Sequence, residues 1–477
     1  MSFDLDQESR RRLGYKLIDL INDYFDSLPE RRVQLPLEER TFEQLHERMP
    51  EAGEDAAKVL DEMTRELIDK GFHVPAANYF GLMNPTPTYM AVLAEAFVAA
   101  INPQLASLAR SQLASKIEAE TVRWIGERIW PAPTKFDGTF TSGGNEANFS
   151  ALAMALARHF PCAIEDGFAG SGDRPVLYSS AESHHSLDKS VGLLGIGRKS
   201  LRRIPVNSRM QLDTQALEQR IMQDLASGFR PFCVVGTAGT TNSGAVDDLN
   251  ALADICQRYG LWFHVDGAYG AAAAFSDKHH SLVSGLERAD SVTIDPHKWL
   301  AMPFAAGVVL TKRAEMLQTT FSVSTPYMPR VAGATIIDNF KVSAQWSRRM
   351  NSLKLWLTLR VHGRQAYEEL IGRQLKLARQ FADWIRQSEY FELVTDPQLT
   401  IVNFRIKGVP KSEVAAANKT LVEEITRDGK RWISTTVAGG QPVIRMMVIS
   451  YLTSEKQLEE LEQALTTAVR KSIVGIR

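Results

Sequence analysis

The chain has 477 residues, 44% of them hydrophobic, and a formal net charge of −1 at pH 7. The length and hydrophobic content permit a large core with more than one packing unit. The near-zero net charge gives no bias toward binding nucleic acid. The basic pair Arg202 and Arg203 is therefore interpreted as solvated surface. No apolar stretch reaches the ~20 residues of a membrane span, and the start lacks a secretory signal. Cys162, Cys233 and Cys256 form no Cys-x-x-Cys pair. We expect a soluble, cytoplasmic protein.

The first 80 residues are predicted to form a helical arm. Apolar residues recur at helical spacing over residues 5–30 and again over 54–70. Prolines within residues 84–87 then break the pattern. The apolar stripe of the arm has nothing of its own to cover it, which predicts packing against a second copy of the chain.

From about residue 134 to 310, short apolar runs alternate with helical stretches, which predicts parallel strand–helix–strand units. In such sheets, ligands bind at the carboxyl ends of the strands. The predicted strands are 175–180, 231–239, 261–268, 291–295 and 306–311, and the predicted helices among them are 145–158, 213–227 and 248–259.

The last third of the chain begins with a predicted long helix over about 344–388. Residues 390–477 then mix strand and helix patterns, which predicts a smaller α+β unit. The predicted division is a helical arm (1–80), a large α/β domain (81–370) and a small C-terminal domain (371–477).

A strand end runs into Ser142-Gly143-Gly144, and a helix starts near Asn145 and Glu146. Glycines let a ligand approach the backbone, and a helix N-terminus offers free N–H groups to an anion. The stretch is therefore a candidate phosphate cup. An ordinary turn at a helix start is the alternative.

Asp266 and Lys298 each follow an apolar strand pattern. A buried carboxylate needs a cation, which for Asp266 is either a structural Arg or Lys or a protonated ring nitrogen. Burial disfavours a charged lysine, and a neutral amine can form an imine with an aldehyde. A structural ion pair is the alternative for Lys298.

These groups together suit pyridoxal phosphate, which needs a phosphate cup, a carboxylate for its ring nitrogen and an imine-forming lysine. His184 follows another predicted strand, where an imidazole could lie flat on the pyridine ring. A polar surface position is the alternative for His184.

Six motifs, in chain order, resemble those of the group II pyridoxal-phosphate decarboxylases of fold type I. They are TSGGNEAN, SSAESHHSLDKS, GTAGTTNSGAVDDL, HVDGAYGAA, DPHKWL and SRRMNSLKLWLTLR. The resemblance covers essentially the whole chain. It implies a mainly parallel seven-stranded α/β sheet flanked by helices, a pyridoxal 5′-phosphate cofactor, a homodimer and decarboxylation of an L-amino acid.

The resemblance also implies roles for individual residues. Lys298 would form the imine, Asp266 would pair with the pyridinium nitrogen and His184 would stack on the ring. The other implied contacts are Gly144, Asn145 and His297 to the phosphate, Thr240 and Ala268 near the ring, and Arg445 toward the substrate from the C-terminal domain.

The segments that resemble the substrate-facing parts of the family are mostly uncharged, which favours an aromatic or bulky apolar amino acid over an acidic one. Arg110, close by, would serve an acidic substrate or face solvent. Asp295 stands where aromatic-amino-acid members carry Asn, and we expect it to turn away from the phosphate or to be screened by donors. The substrate-facing positions are Leu82, Met83, Asn84, Pro85, Gln104 and Ala106.

In the family, a tyrosine on a loop from the partner subunit supplies the proton that completes amine formation. Counting back from Arg348 puts Asn339 or Phe340 near that position, and Tyr327 is the only tyrosine of the loop at 322–343. Tyr327 is therefore the candidate donor. Because loss of this tyrosine accompanies aldehyde formation in related members, an aldehyde synthase is the alternative. An inactive scaffold conflicts with the intact Lys298.

Overall fold

A seven-stranded sheet organises the large part of the fold in a computed structural model of the chain. The structure describes residues 4–40, 48–168, 171–325 and 337–474. The strand order is β1-β7-β6-β5-β4-β2-β3. The strands are β1 Asp137–Thr141, β2 Pro175–Ser180, β3 Leu201–Ile204, β4 Arg230–Thr237, β5 Trp262–Asp266, β6 Ser291–Ile294 and β7 Gly307–Thr311.

The sheet is mainly parallel, as predicted. Strands β3, β2, β4, β5 and β6 pair in parallel, whereas β7 is antiparallel to both β6 and β1. The connection from β6 to β7 contains no helix. A parallel pair needs a longer crossover, usually helical, whereas an antiparallel pair does not, so β7 reverses direction.

Thirteen helices in the described part of the chain flank the sheets. Helix α9 shows how local sequence sets their ends. Asp248 caps it by accepting a hydrogen bond from the Ala251 N–H at 3.0 Å, and Gly260 ends it with a φ of 65°. The helices are α1 Gln7–Ser27, α2 Ala56–Lys70, α3 Tyr89–Ile101, α4 Gln112–Ile129, α5 Gly144–His159, α6 Ala163–Asp166, α7 Ser186–Leu193, α8 Thr214–Ala226, α9 Leu249–Tyr259, α10 Met316–Phe321, α11 Ser352–Gln387, α12 Val414–Thr426 and α13 Glu455–Val474.

A second, antiparallel sheet forms the C-terminal part, in the order β10-β11-β9-β8. Its strands pack with α12, α13 and the end of α11 around a separate apolar core. Helix α11 is shorter than the predicted 344–388 and is interrupted at Gly363, whose φ is 71°. The proposed boundaries at 80 and 370 stay predictions. The strands are β8 Phe391–Leu393, β9 Ile401–Ile406, β10 Ser434–Ala438 and β11 Gln441–Met447.

The N-terminal arm lies largely outside both cores. Neither α1 nor α2 contains a buried residue, although Lys16 of α1 pairs with Asp61 of α2 at 2.5 Å. Among the described residues, no helix is long and apolar enough to cross a membrane. All three cysteines are free thiols.

Candidate active site

The predicted site residues converge on one edge of the large sheet. The strands that precede them run in the same direction, so their carboxyl ends share an edge. Gly144 follows β1, His184 follows β2 and Thr240 follows β4. Asp266 ends β5, and Lys298 follows β6 by four residues. The topology thus assembles groups that are far apart in the sequence.

Gly143 and Gly144 form a cup that a side chain would fill. A Cβ on Gly144 would lie 2.8 Å from Oδ2 of Asp295 and 3.3 Å from Cβ of Ala268. A Cβ on Gly143, whose φ is 156°, would lie 3.3 Å from the ring of His297. Because α5 starts here, its first N–H groups have no partner within the helix. The cup therefore presents hydrogen-bond donors to an anion.

Uncharged partners hold Asp266 in place. Its Oδ2 accepts a hydrogen bond from Nδ2 of Asn148 at 2.9 Å. Oδ1 of Asn148 in turn accepts from Oγ1 of Thr293 at 2.8 Å and lies 3.0 Å from Nε2 of His264. On the far side, Nδ1 of His264 lies 2.9 Å from Oγ of Ser291. Burial lowers the pKa of His264 to about 4, so the imidazole is neutral and donates to Asn148 through Nε2.

No Arg or Lys of the described residues forms an ion pair with Asp266, whose side chain is buried. The structural ion pair considered from the sequence is therefore not found there. A buried carboxylate with only neutral donors is ready for a cationic ligand group.

Lys298 is half-buried and faces the cup. Its Nζ lies 3.1 Å from Oδ2 of Asp295, and Nε2 of His297 lies 3.6 Å from the same oxygen. Nδ1 of His297 accepts a hydrogen bond from the Ala306 N–H at 3.1 Å, and burial lowers the pKa of His297. Asp295 does not turn away from the cup, because a Cβ on Gly144 would lie 2.8 Å from its Oδ2. The contact with Nζ of Lys298 fits the other expectation, that a donor screens this carboxylate.

His184 lies at the mouth of the cleft, with its side chain exposed. Its Nδ1 accepts a hydrogen bond from the Ser186 N–H at 3.2 Å. Partial burial by the surrounding protein lowers the pKa of His184. The nearby negative charge of Asp266 acts in the opposite direction but does not cancel this shift. Because Nδ1 accepts from Ser186, the proton of a neutral His184 ring lies on Nε2.

Comparison with known proteins identifies the family to which the chain belongs. Residues 36–407 match the pyridoxal-dependent decarboxylase conserved domain. The chain belongs to the pyridoxal-dependent decarboxylase family. The chain is therefore a pyridoxal-phosphate-dependent carboxy-lyase that acts on an amino acid, as the motifs imply.

Relatives of this decarboxylase differ in substrate and product. It is 33% identical over 471 residues to the aromatic-L-amino-acid decarboxylase of Bacillus atrophaeus, covering 96% of this chain and 95% of that one. It is 32% identical over 360 residues to the acidic amino acid decarboxylase GADL1 of Homo sapiens, covering 75% and 68%. It is 27% identical over 472 residues to the phenylacetaldehyde synthase of Arabidopsis thaliana, covering 96% and 95%.

A solved structure shows the same fold. The structure of Oryza sativa TDC with PLP and tryptamine superposes with a TM-score of 0.92 at 25% identity, covering 99% of this decarboxylase and 100% of that chain. The α/β fold and the cofactor class predicted from the sequence are confirmed.

The residues of this decarboxylase fit pyridoxal phosphate. The Gly143–Gly144 cup has the open backbone donors that a phosphate needs. Asp266 has no cation of its own among the described residues, and Lys298 projects its amine into the same cleft. Asp295 has the wrong charge for a phosphate.

The remaining predicted cofactor contacts lie at the same edge. Oγ1 of Thr240 is buried, 2.7 Å from Oγ of Ser243, and accepts from the Ala245 N–H at 3.1 Å. Ala268 follows Asp266 and accepts a backbone hydrogen bond from Asp295 at 3.0 Å. Asn145 is exposed in the first turn of α5. Their individual roles toward the cofactor stay predictions.

Arg445 reaches the large domain from β11. Its side chain is 6% exposed. The guanidinium donates hydrogen bonds to the Thr241 carbonyl at 2.8 Å and to Oγ of Ser434 at 3.2 Å. No carboxylate of the described residues pairs with it. Burial lowers the pKa of Arg445, which is the electrostatic signature of a cation that lacks its counter-ion.

The residues that flank segment 82–85 are hydrogen-bonded to strand β11 on one side and to the turn after Lys298 on the other. Just before it, the Phe80 carbonyl accepts from the Met447 N–H at 3.0 Å, and just after it the Thr88 N–H donates to the Ala301 carbonyl at 2.9 Å. Of the predicted substrate-facing residues in the segment, Leu82 is exposed, Met83 and Asn84 are half-buried and Pro85 is buried.

Gln104 and Ala106 lie elsewhere in the chain. Nε2 of Gln104 donates to Oγ of Ser347 at 3.0 Å, and the Ala106 carbonyl accepts from the Phe340 N–H at 3.1 Å. The described contacts do not join either residue to Lys298. Arg110 is exposed and donates to Oε1 of Gln104 at 3.2 Å.

The proton-donor candidates separate in the structure. Asn339 and Phe340 are buried against their own chain, where Nδ2 of Asn339 donates to Oγ of Ser115 at 3.2 Å. Neither side chain carries an acidic proton to donate. Tyr327 lies outside the described residues, so its role stays a prediction.

Sequence reasoning missed Asn148 and His264 as site residues. Two signals could have found them. His264 precedes Asp266 by two positions, so both side chains lie on the same face of β5. Asn148 is an amide three residues after Asn145 that begins the apolar part of α5, and a buried amide needs partners.

Proposed function

We propose that this decarboxylase converts an aromatic or bulky apolar L-amino acid into its amine and carbon dioxide. The carrying observation is the buried Arg445, a guanidinium without a carboxylate partner among the described residues, taken together with the uncharged segment 82–85. An arginine binds a carboxylate in a planar, bidentate geometry. One cation for the carboxylate and an apolar wall for the side chain suit a neutral amino acid.

The chain's own groups would divide the chemistry among them. When bound, pyridoxal phosphate supplies the electron sink that accepts the bonding pair released with carbon dioxide. Lys298 would hold the cofactor and yield it to the substrate amine. Asp266, kept in place by Asn148, would hold a proton on the ring nitrogen. His184 would cover the ring and exclude water from the reacting carbon.

A homodimer is the second part of the proposal. The apolar residues of α1 and α2 lack cover in a single chain. On α3, Phe97 and Ile101 are 59% and 50% exposed, and their spacing puts them on one face of the helix. In a dimer these surfaces would be covered.

An aldehyde synthase is the alternative, supported by the likeness to the phenylacetaldehyde synthase. The position counted from Arg348 holds the buried Asn339 and Phe340, neither of which can donate a proton. A decarboxylase of acidic amino acids is supported by the likeness to the human relative. Against that, Arg110 is exposed and bound to Gln104 instead of facing the segment 82–85.

The test is incubation of purified dimer with a panel of aromatic, aliphatic and acidic L-amino acids. Amine, aldehyde, carbon dioxide and oxygen uptake are measured together, with the Lys298→Ala protein as the blank. We expect amine and carbon dioxide in equal amounts, highest with aromatic substrates. Turnover highest with glutamate or aspartate would overturn the substrate class, and stoichiometric oxygen uptake with hydrogen peroxide release would establish the aldehyde synthase.

A further inference from the structure

Asp295 is an unusual group for a phosphate cup. It is 2% exposed, and its Oδ1 is buried without a hydrogen-bond partner. Its Oδ2 lies 3.1 Å from Nζ of Lys298 and 3.6 Å from Nε2 of His297. Burial lowers the pKa of His297, which leaves the Lys298 ammonium as the cation that compensates this carboxylate.

Binding of the cofactor must disturb this pair. When Lys298 reacts with an aldehyde, its ammonium first gives up a proton to water. The amine nitrogen then bonds to the aldehyde carbon, and one molecule of water leaves. The ammonium group that compensates Asp295 is thereby replaced by an imine. A buried carboxylate that loses its cation is left uncompensated, which is strongly unfavourable.

We propose that Asp295 is a positioning residue that holds the Lys298 amino group across the cup, so that cofactor binding must break the pair and is weakened by it. The same contact provides a place for the amino group when a substrate amine displaces it. The proposal rests on the cofactor class of the family and not on the identity of the substrate.

The test compares cofactor-free wild type with Asp295→Asn and Asp295→Ser, titrated with pyridoxal phosphate and, separately, with pyridoxal. Binding is followed by the visible absorbance of the protein-bound aldehyde. Pyridoxal lacks the phosphate but reacts with the same lysine. We expect both variants to bind both aldehydes tighter, by about fivefold or more, because a buried carboxylate that loses its cation costs at least the ~1 kcal/mol of an exposed ion pair.

Asp290→Asn is the matched control. Asp290 precedes β6, whereas Asp295 follows it, and it also forms an ion pair, with Arg313 at 2.7 Å. This variant should keep wild-type affinity for both aldehydes. Unchanged or weaker binding of pyridoxal in both Asp295 variants would overturn the proposal. Tighter binding of pyridoxal phosphate alone would overturn it too, since the carboxylate would then act on the phosphate and not on Lys298.

Discussion

Asn148 donates a hydrogen bond to Asp266 across 2.9 Å, although 118 residues separate them in the chain. Oδ1 of Asn148 is engaged by Thr293 and His264 at the same time. All of these partners are neutral, so they orient the carboxylate without neutralising it. The carboxylate is therefore available to a cationic group, which in the proposed function is the protonated ring nitrogen of the cofactor.

Asn148→Ala should therefore weaken cofactor binding and turnover together. It removes the donor to a charged group, an interaction worth about 1.5–3 kcal/mol, which corresponds to roughly 10- to 100-fold in affinity. Titration of the cofactor-free variant by visible absorbance measures it. Asn250→Ala, in the first turn of α9 and remote from the cup, is the control and should bind like wild type. A variant with normal affinity would contradict the positioning role of Asn148.

Lys298→Ala should abolish turnover. Among the described residues, Lys298 is the lysine whose Nζ contacts Asp295 at the cup, and in the proposed function its amine is the nucleophile. Some cofactor should remain bound, because the cup and Asp266 are intact. Lys312→Ala is the control: Lys312 is also partly buried but donates to the Arg288 carbonyl at the other end of the sheet. Activity is assayed by carbon dioxide release. Substantial steady-state activity in Lys298→Ala would contradict the role of Lys298 as the imine-forming lysine.

Strand ends were predictable from the sequence because a buried parallel strand is a run of apolar residues, and the polar residue that ends it is visible. Strand β3 was missed because it is not such an apolar run: its sequence is Leu-Arg-Arg-Ile. Its Arg202 and Arg203, interpreted as solvated surface, pair with Asp224 at 3.2 Å and Asp188 at 2.6 Å. The sequence does not display such partners, because tertiary contact brings them together.

Two further features of the site show different limits of the prediction. Asp295 conflicts with a phosphate by its charge, and it is only three residues from Lys298, but whether the two side chains meet depends on the conformation of the turn between them. Packing of Asn339 and Phe340 against residues 106–115 joins segments that are far apart in the chain, so no local spacing displays it.

The buried network should make stability depend on pH through His264. Its pKa is lowered to about 4 by burial, against about 6.5 in an unfolded chain. Between these values the unfolded chain binds more protons, so stability falls as the pH decreases. The loss between about pH 7 and about pH 5 is on the order of 2 kcal/mol.

Melting temperatures across this range measure the effect. His264→Gln should be less stable at neutral pH, because the network is disturbed, but its stability should decline less steeply toward acid. His185→Gln, with a side chain 93% exposed, should keep the wild-type slope. If the melting temperatures of wild type and His264→Gln fall equally steeply between about pH 7 and about pH 5, His264 does not cause the loss of stability in acid.

The proposed dimer should dissociate when a charge is placed on the exposed face of α3. Phe97→Glu would bury a carboxylate in an apolar interface, which is costly without a partner. Sizing chromatography with light scattering should show a monomer with reduced activity. Met222→Glu on α8, where the wild-type side chain is 51% exposed, should stay dimeric. An active Phe97→Glu dimer would exclude this face from the interface.

The identity of the proton donor should be visible in the products. After carbon dioxide leaves, the carbanion must receive a proton before oxygen diverts it, and a positioned acid contributes ~10²–10⁴-fold to such a transfer. Tyr327 is the loop candidate. His184 is the candidate within the described site, because the Ser186 N–H engages its Nδ1 and leaves the proton of the neutral ring on Nε2.

Tyr327→Phe and His184→Gln separate the two candidates. Amine, aldehyde and hydrogen peroxide are measured for each variant with the best substrate of the panel. Because Tyr327→Phe removes only a hydroxyl group, we expect it to shift product from amine to aldehyde while cofactor binding stays unchanged. His184→Gln should lower turnover through the lost stacking and keep the product ratio. If the aldehyde fraction rises in His184→Gln and not in Tyr327→Phe, the imidazole is the donor, and the loop tyrosine has no part in protonation.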